Sequence, residues 1–234
     1  YTGLSVVPGK YLLDNLRNML SMVNMPRGFL NSAIVSFSST FLSIYFGAMT
    51  AFGLFEYKFK LKKVIYVILM VSMMVPGQLG IIGLFKLCNN LGLLNTYWPL
   101  ILPCIANSST IFFILQYLQS SMSEELLDSA RIDGAGEVKI FHSFILPLSK
   151  PALSTMVIFN FVSYWINFFN PMILLFDDKK FTVPLLINNL NSGMLQDLGA
   201  KYSAIAISIL PIILIYCLIS KRLTSGMMAG AIKS

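Results

Sequence analysis

The chain has 234 residues, of which 56% are hydrophobic and 12% are charged. Soluble domains carry about 25% charged residues, so this composition, with a mean hydropathy of +0.74, excludes an ordinary soluble globular protein. The net charge of +7 does not indicate a nucleic-acid partner, because the basic residues gather in short loops between apolar stretches.

Five windows are long and apolar enough to cross a membrane. A hydrocarbon core about 30 Å thick needs roughly 20 apolar residues per helix, and lipid offers no partner for the backbone of an open strand. None of the windows contains Asp, Glu, Lys, Arg or His. The predicted fold class is therefore all-α, a polytopic membrane protein with five visible transmembrane helices. The windows are 29–55, 64–85, 97–118, 151–176 and 202–220.

Loop charges predict the orientation. The basic residues concerned are Lys58, Lys60, Lys62, Lys63, Lys221, Arg222 and Lys233. Counting spans puts all of them, and the segment 119–150, on one side, and Lys and Arg in short loops mark the cytoplasm. We expect residues 1–28 outside the cell, a transmembrane domain at 29–222 and a cytoplasmic tail at 223–234. A chain that starts outside without a signal peptide also predicts a sixth, preceding helix.

The first three spans carry polar or helix-breaking residues. Ser32, Ser36, Ser39, Ser43 and Thr50 share one helical face of the first span, which either lines a hydrophilic pathway or lets helices approach closely. The second span is interrupted at 76–78 (PGQ), and the third at Pro103 and at 107–109 (NSS). Broken helices are typical of transporter binding and gating regions, although proline kinks are also ordinary in membrane helices.

The fourth span is rich in amides and aromatic rings. Asn160, Tyr164, Asn167 and Pro171 follow at i, i+4, i+7 and i+11, with Trp165 and Asn170 beside them. Such a face suits a polyhydroxylated solute such as a sugar, because it combines hydrogen-bonding amides with flat, apolar aromatic rings. The alternative interpretation is hydrogen bonding between helices. The candidate pathway residues are Asn160, Tyr164, Trp165, Asn167 and Asn170.

The sequence shows no catalytic or metal-ligating pattern. His142 is the only histidine, and no His, Cys, Asp or Glu cluster has metal-ligand spacing, so we predict no metal, no cofactor and no enzymatic activity. Proton relays place an ionisable residue within a span, and these windows have none. Energy for uphill transport must then come from a partner that binds a cytoplasmic segment. Only the segment 119–150 is large enough to bind such a partner.

This segment predicts a polar helical hairpin. Ser121 and Glu124 fit a capping box, with Ser123 as an alternative N-cap, so a helix is expected at 124–132. Gly134 and Gly136 end it, because glycine readily adopts the positive φ of a helix terminus. A second helix follows, whose apolar stripe is Val138, Phe141 and Ile145, flanked by Ile140 and Phe144 and ended by Pro147 and Pro151.

The hairpin has two interpretations. It either docks a partner or lies on the membrane surface as an amphipathic element. Surface helices usually carry Lys and Arg on the polar face, whereas this one is rich in acids, which favours docking.

Residues 128–135 (DSARIDGA), followed by Phe141, 145–148 (ILPL) and Pro151, resemble the EAA loop of ABC importer permeases. The sequence ARIDGA…ILPLSKPAL is similar to the corresponding sequence in the carbohydrate-uptake, maltose-type branch of that family. The likeness extends over nearly the whole chain. It includes VPG (75–77), LGLLNTY (91–97), WINFFNP (165–171), TVP (182–184) and the ending GMMAGAIK (226–233).

The resemblance implies the type I permease fold of ABC importers and a set of partners. These are a cytoplasmic ATPase pair, a second homologous permease in a heterodimer, and an extracellular solute-binding protein that delivers a sugar or oligosaccharide. The implied ATPase-coupling residues are Asp128, Ser129, Ala130, Arg131, Ile132, Asp133, Gly134 and Ala135. The implied tail contacts to the ATPase are Gly226, Ala229, Gly230 and Lys233.

Two positions depart from the family pattern. Asp128 stands where the family has glutamate, and Ser129 where it has alanine. The alternative function, from another class, is an energy-independent channel or a membrane scaffold with a cytoplasmic docking hairpin.

Overall fold

The computed structural model describes residues 11–190 and 197–219, which are almost entirely helical and contain no strand. Short 3₁₀ turns at Gly77–Gly80, Leu102–Ala106 and Asp178–Lys180 join some of the helices. The helices are α1 Leu12–Met22, α2 Met25–Glu56, α3 Lys62–Met74, α4 Ile81–Asn90, α5 Trp98–Ile101, α6 Ser108–Ser121, α7 Glu124–Ile132, α8 Glu137–Ile140, α9 Leu146–Leu148, α10 Lys150–Trp165, α11 Phe169–Leu174, α12 Val183–Asn189 and α13 Leu198–Ser208.

Several helices have the length and hydropathy of membrane spans. Three segments meet the criteria for a membrane span on their own: Met25–Glu56, Trp98–Ser121 and Leu198–Ile219. Two bent pairs qualify together, Lys62–Met74 with Gly77–Asn90 at 98° and Glu137–Leu148 with Lys150–Trp165 at 77°. The described residues therefore supply up to five spans, and the predicted all-α, polytopic fold class is confirmed.

Helix α2 is the central helix and packs chiefly against α6 and α10. Its buried serines bond to neighbouring elements: Ser32 Oγ accepts from Val183 N at 2.8 Å, and Ser39 Oγ donates to Leu100 O at 3.3 Å. Ser43 Oγ lies 3.2 Å from Thr110 Oγ1. The serine stripe is thus a helix-packing face, not a pathway wall, and Thr50 at its end is exposed.

The start of α2 shows why glycine is needed there. Asn24 Oδ1 accepts from Arg27 N at 3.1 Å and caps the helix, and Pro26 lies in its first turn. Gly28, expected to precede the span, lies inside it. A Cβ at Gly28 would overlap the Leu186 side chain, so glycine lets α12 pack closely on α2.

The predicted interruptions of the second and third spans are confirmed. Helix α3 ends at Met74, and the chain turns by 98° around Pro76 before α4. In the third span a 3₁₀ turn follows α5, and Asn107 Oδ1 then accepts from Thr110 N at 3.0 Å to cap α6.

The fourth predicted span, 151–176, is wrong as one helix, because α10 ends at Trp165 and α11 starts at Phe169. Asn167 Oδ1 accepts from Asn170 N, in the first turn of α11, at 3.3 Å. Pro171 falls in the first turn of α11, where its missing N–H costs nothing; inside a continuous helix it would break a hydrogen bond. Asn167 and Asn170 therefore do not share a helical face with Asn160.

Candidate functional site

The first arm of the hairpin is α7, Glu124–Ile132, with the predicted bounds. The predicted capping box is wrong. Ser121 is the last residue of α6, since the next N–H, of Met122, still bonds to Leu118 O at 3.0 Å. Ser123 takes the N-cap position with extended backbone, and its side chain makes no capping hydrogen bond.

The elbow between the arms depends on Gly134, whose φ of +81° is strained for residues with a Cβ. Gly134 N–H donates to Arg131 O at 2.9 Å, and Ala135 N–H donates to Ala130 O at 3.0 Å. This pair of bonds is the Schellman arrangement that closes a helix. Gly136 has a different role, because its φ of −73° is ordinary and it is the N-cap residue of α8.

The second arm packs onto the bundle through a π-helical turn at Phe141–Ile145. Ile140, Phe141 and Ile145 are buried in one cluster with side chains of α2 and α6. Val138 precedes this turn and is 74% exposed. The predicted stripe is therefore wrong at Val138, and the buried side is held firmly against α2.

Arg131 ties the hairpin to the end of α2. Its Nη1 lies 2.5 Å from Glu56 Oε1 and 3.1 Å from Asp128 Oδ1, and its Nε lies 2.9 Å from Glu137 Oε1. Tyr57 OH donates to Glu137 Oε2 at 2.5 Å. We name Glu56, Tyr57, Arg131 and Glu137 the Arg131 clasp; it joins α2 to both arms.

The electrostatics of α2 explain why the clasp is needed. Glu56 is the last residue of α2, its side chain is 8% exposed, and a carboxylate is disfavoured at the negative end of a helix. The Arg131 guanidinium supplies the compensating charge. Arg131 is therefore engaged within the chain instead of being free to bind a partner.

Hydrogen bonds within the clasp also shift the acidity of its members. The Arg131 guanidinium and the Tyr57 hydroxyl hold the pKa of Glu137 below its ordinary value. Partial burial and the bond to Glu137 raise the pKa of Tyr57 to about 12. At neutral pH the clasp thus keeps an ionised Glu137 and a protonated Tyr57, each in the state that its hydrogen bond requires.

We expect the clasp to weaken in acid. A carboxyl group with a lowered folded-state pKa contributes stability above its ordinary value of 4.5, and this contribution is lost as pH falls through the lowered value. Thermal unfolding of the purified chain, followed from neutral into acid pH, measures this loss. Glu137→Gln should reduce the loss of stability between neutral and acid pH. If the variant loses as much stability in acid as the wild type, Glu137 does not stabilise the clasp.

The predicted coupling residues divide into inner and outer ones. Ala130 is buried beneath the arm, and Ala135 packs partly against the same cluster. Ile132 is 86% exposed and the Asp128 side chain 67%. Ser129 and Asp133 are exposed as well, so the outer surface of the hairpin combines carboxylates with a bare apolar side chain.

The candidate pathway residues are not brought together as one face. Asn160 is buried, and its Nδ2 donates to Ser43 Oγ at 3.1 Å and to Thr110 Oγ1 at 2.9 Å. Trp165 is also buried and donates from Nε1 to Ser208 O at 3.0 Å. These contacts favour hydrogen bonding between helices for both residues.

The remaining pathway candidates are half-buried. Tyr164 OH accepts from Asn107 Nδ2 at 2.9 Å. Asn167 and Asn170 lie beyond the end of α10, at the start of α11. The tail residues Gly226, Ala229, Gly230 and Lys233 lie outside the described residues.

We expect Asn160→Leu to lower the free energy of unfolding by about 1 kcal/mol, because a hydrogen bond between membrane helices contributes about 0.6 kcal/mol and Asn160 donates two. Thermal unfolding in detergent measures this change. Solute uptake by the variant should persist. Lost uptake with unchanged stability would instead assign Asn160 to the solute pathway.

Glu56 was missed by the sequence interpretation. It follows the window 29–55 directly. It is also the only acid between Asp14 and Glu124. A lone carboxylate at the end of a long apolar helix was the available signal for a buried ion pair with Arg131.

Comparison with known proteins identifies the family of the chain. Residues 43–228 match the family model described as binding-protein-dependent transport system inner membrane component. The chain is 36% identical to the arabinooligosaccharides transport system permease protein AraQ of Bacillus subtilis (strain 168), over 88% of this chain and 73% of that protein. It is 31% identical to the diacetylchitobiose uptake system permease protein NgcG of Streptomyces coelicolor, over 97% and 76%.

A solved structure supports the fold. A chain from a bacterial ABC transporter involved in the import of the acidic polysaccharide alginate superimposes with a TM-score of 0.79 at 22% identity, over 94% of this chain and 83% of that one. The architecture is thus that of an ABC importer permease. With the family match over residues 43–228, the chain belongs to the inner membrane components of binding-protein-dependent transport systems.

Proposed function

We propose that the chain is the transmembrane permease subunit of an ATP-driven importer for a sugar or oligosaccharide. The observation that carries this proposal is the hairpin: its outer surface is exposed at Asp128 and Ile132, while the Arg131 clasp fixes it to α2. A docked partner that moved the hairpin would move the central helix. The names of the relatives supply the solute class.

The proposed partner at the hairpin is a cytoplasmic ATPase, which would supply the ATP hydrolysis that this chain is not expected to perform. The ATPase would contact the exposed residues of the first arm, Asp128, Ser129, Ile132 and Asp133. Gly134 would set the angle between the two arms. The proposed tail contacts, from the resemblance, are Gly226, Ala229, Gly230 and Lys233. A second homologous permease and an extracellular solute-binding protein would complete the transporter.

The proposed orientation follows from the clasp and the loop charges. Tyr57 and Glu56 bind the hairpin, so the lysine-rich loop after α2 and the hairpin lie at the same end of the molecule. Lysines in a short loop mark the cytoplasmic side. Residues 1–28 would then lie outside the cell and residues 223–234 inside.

For the solute pathway we propose Tyr164, Asn167 and Asn170 as lining residues. They are only half-buried and offer a hydroxyl and two amides, which suit a polyhydroxylated solute. Asn160 and Trp165 would support this region through their bonds to neighbouring helices.

Reconstitution tests the proposal. The chain is placed in proteoliposomes with its ATPase, its partner permease and its solute-binding protein, and uptake of a labelled oligosaccharide is measured. We expect accumulation that needs both ATP and the binding protein. Equilibration of the solute without ATP would establish the channel alternative instead.

A further inference from the structure

A cavity of about 430 Å³ lies beside the hairpin-bearing end of α2 and shares no lining residue with the proposed solute pathway. It is formed where the end of α2, the loop after it, the start of α3 and the side of α6 meet. Its lining residues are Leu54, Phe59, Lys60, Lys62, Lys63, Tyr66, Leu115 and Gln119.

Three lysines that line this cavity have no acidic partner in the part of the chain that the structure describes. Among the described residues Lys60, Lys62 and Lys63 form no ion pair, and the nearest acid in sequence, Glu56, is engaged by Arg131. Lys62 Nζ donates to Phe55 O at 3.3 Å, which satisfies a carbonyl at the end of α2 but cancels no charge. The cavity therefore has a strongly cationic rim.

The cavity also has apolar lining residues. Leu54 and Leu115 are buried, and Phe59 is 41% exposed. On α3, Val64, Val67 and Ile68 are exposed, and α3 forms part of a candidate membrane span. Cationic side chains next to a helix with exposed apolar residues suit a molecule with an anionic head and a hydrocarbon body.

We infer that this cavity binds an anionic phospholipid, with the head-group phosphate at Lys60, Lys62 and Lys63 and an acyl chain along α3. Basic pockets between membrane helices bind phosphate head groups in this way. The start of α3 adds the positive end of a helix dipole. The bound lipid would neutralise the loop beside the Arg131 clasp. The inference does not depend on the transported solute.

Native mass spectrometry of the assembled transporter tests this site. The complex is titrated with dioleoyl phosphatidylglycerol, with dioleoyl phosphatidylcholine and with soluble glycerol phosphate. We expect adducts with phosphatidylglycerol only, because phosphatidylcholine has no net negative charge for the lysines and glycerol phosphate has no acyl chain for the apolar surface. Equal binding of the two lipids, or equal binding of glycerol phosphate, would overturn the inference.

Two charge-matched triple variants locate the site. One carries Lys60→Gln, Lys62→Gln and Lys63→Gln; the other carries Lys58→Gln, Lys139→Gln and Lys150→Gln, which removes three lysines from the same end outside the cavity. Three lysines near an anionic head group predict an affinity lower by on the order of 100-fold for the first triple alone. Equal loss in both, or loss in neither, would overturn the inference.

The triple variant Lys60→Arg, Lys62→Arg and Lys63→Arg is a control for loss of binding through misfolding. It keeps the positive charge of the loop and with it the signal that sets the membrane orientation. We expect it to retain phosphatidylglycerol adducts. Loss of adducts in a folded arginine triple would also contradict a phosphate site. Since the readout is lipid binding, it stays informative even if the proposed transport function fails.

Discussion

Gly134→Val is expected to reduce ATP-driven solute uptake roughly 10- to 100-fold, while the transporter still assembles and hydrolyses ATP. Valine is β-branched, and at φ +81° such a residue costs about 1–3 kcal/mol. Each 1.4 kcal/mol is a factor of about ten in a population. The elbow would leave its native angle, and the hairpin would no longer transmit movement to α2.

The neighbouring glycine provides a matched control. Gly136 has φ −73°, and a Cβ there would meet no atom within 4 Å, so Gly136→Val should leave uptake near the wild-type level. Gly134→Asn should retain more uptake than Gly134→Val, because asparagine tolerates the left-handed conformation. Equal uptake by all three variants would show that the elbow angle does not matter for coupling.

Arg131→Gln is expected to lower the free energy of unfolding by about 2–3 kcal/mol, measured by thermal or denaturant unfolding in detergent. The change leaves the carboxylate of Glu56, 8% exposed, without its cation. Removing one partner of a fully buried pair costs about 3–5 kcal/mol, and Arg131 is 28% exposed, which reduces that figure.

The double variant Arg131→Gln with Glu56→Gln distinguishes the ion pair from a loss of packing. Removing both charges should recover more than half of the lost stability, since no unpaired buried carboxylate remains. Lys139→Gln, at an exposed site of the second arm, serves as the charge control and should be neutral. If the single and double variants are equally destabilised, Glu56 and Arg131 are not energetically coupled.

Local sequence rules predicted the hairpin well where one residue decides the backbone. Gly134 marks the end of α7 because glycine alone adopts positive φ without strain, and the bounds 124–132 agree with the structure. Pro76 and Asn107 likewise indicated the breaks in the second and third spans. The family resemblance added the identity of the permease fold, which hydropathy does not contain.

Features that depend on tertiary packing were not predictable from spacing. Val138 fits an α-helical stripe with Phe141 and Ile145 but is exposed, because the bundle covers Phe141 and Ile145 and does not reach Val138. The end of α10 at Trp165 separates Asn167 from Asn160. The pairing of Arg131 with Glu56 joins residues 75 positions apart, and no periodic pattern indicates it.

The most direct test of the coupling proposal is site-specific photo-cross-linking in the assembled transporter. A photoreactive phenylalanine analogue replaces Ile132, 86% exposed on the hairpin, or Leu198, 53% exposed at the start of α13. Subunits joined to the chain after illumination are identified by mass spectrometry. We predict that position 132 captures the ATPase and position 198 does not. Capture at neither position, or equally at both, in a complex that hydrolyses ATP would contradict docking of the ATPase on the hairpin.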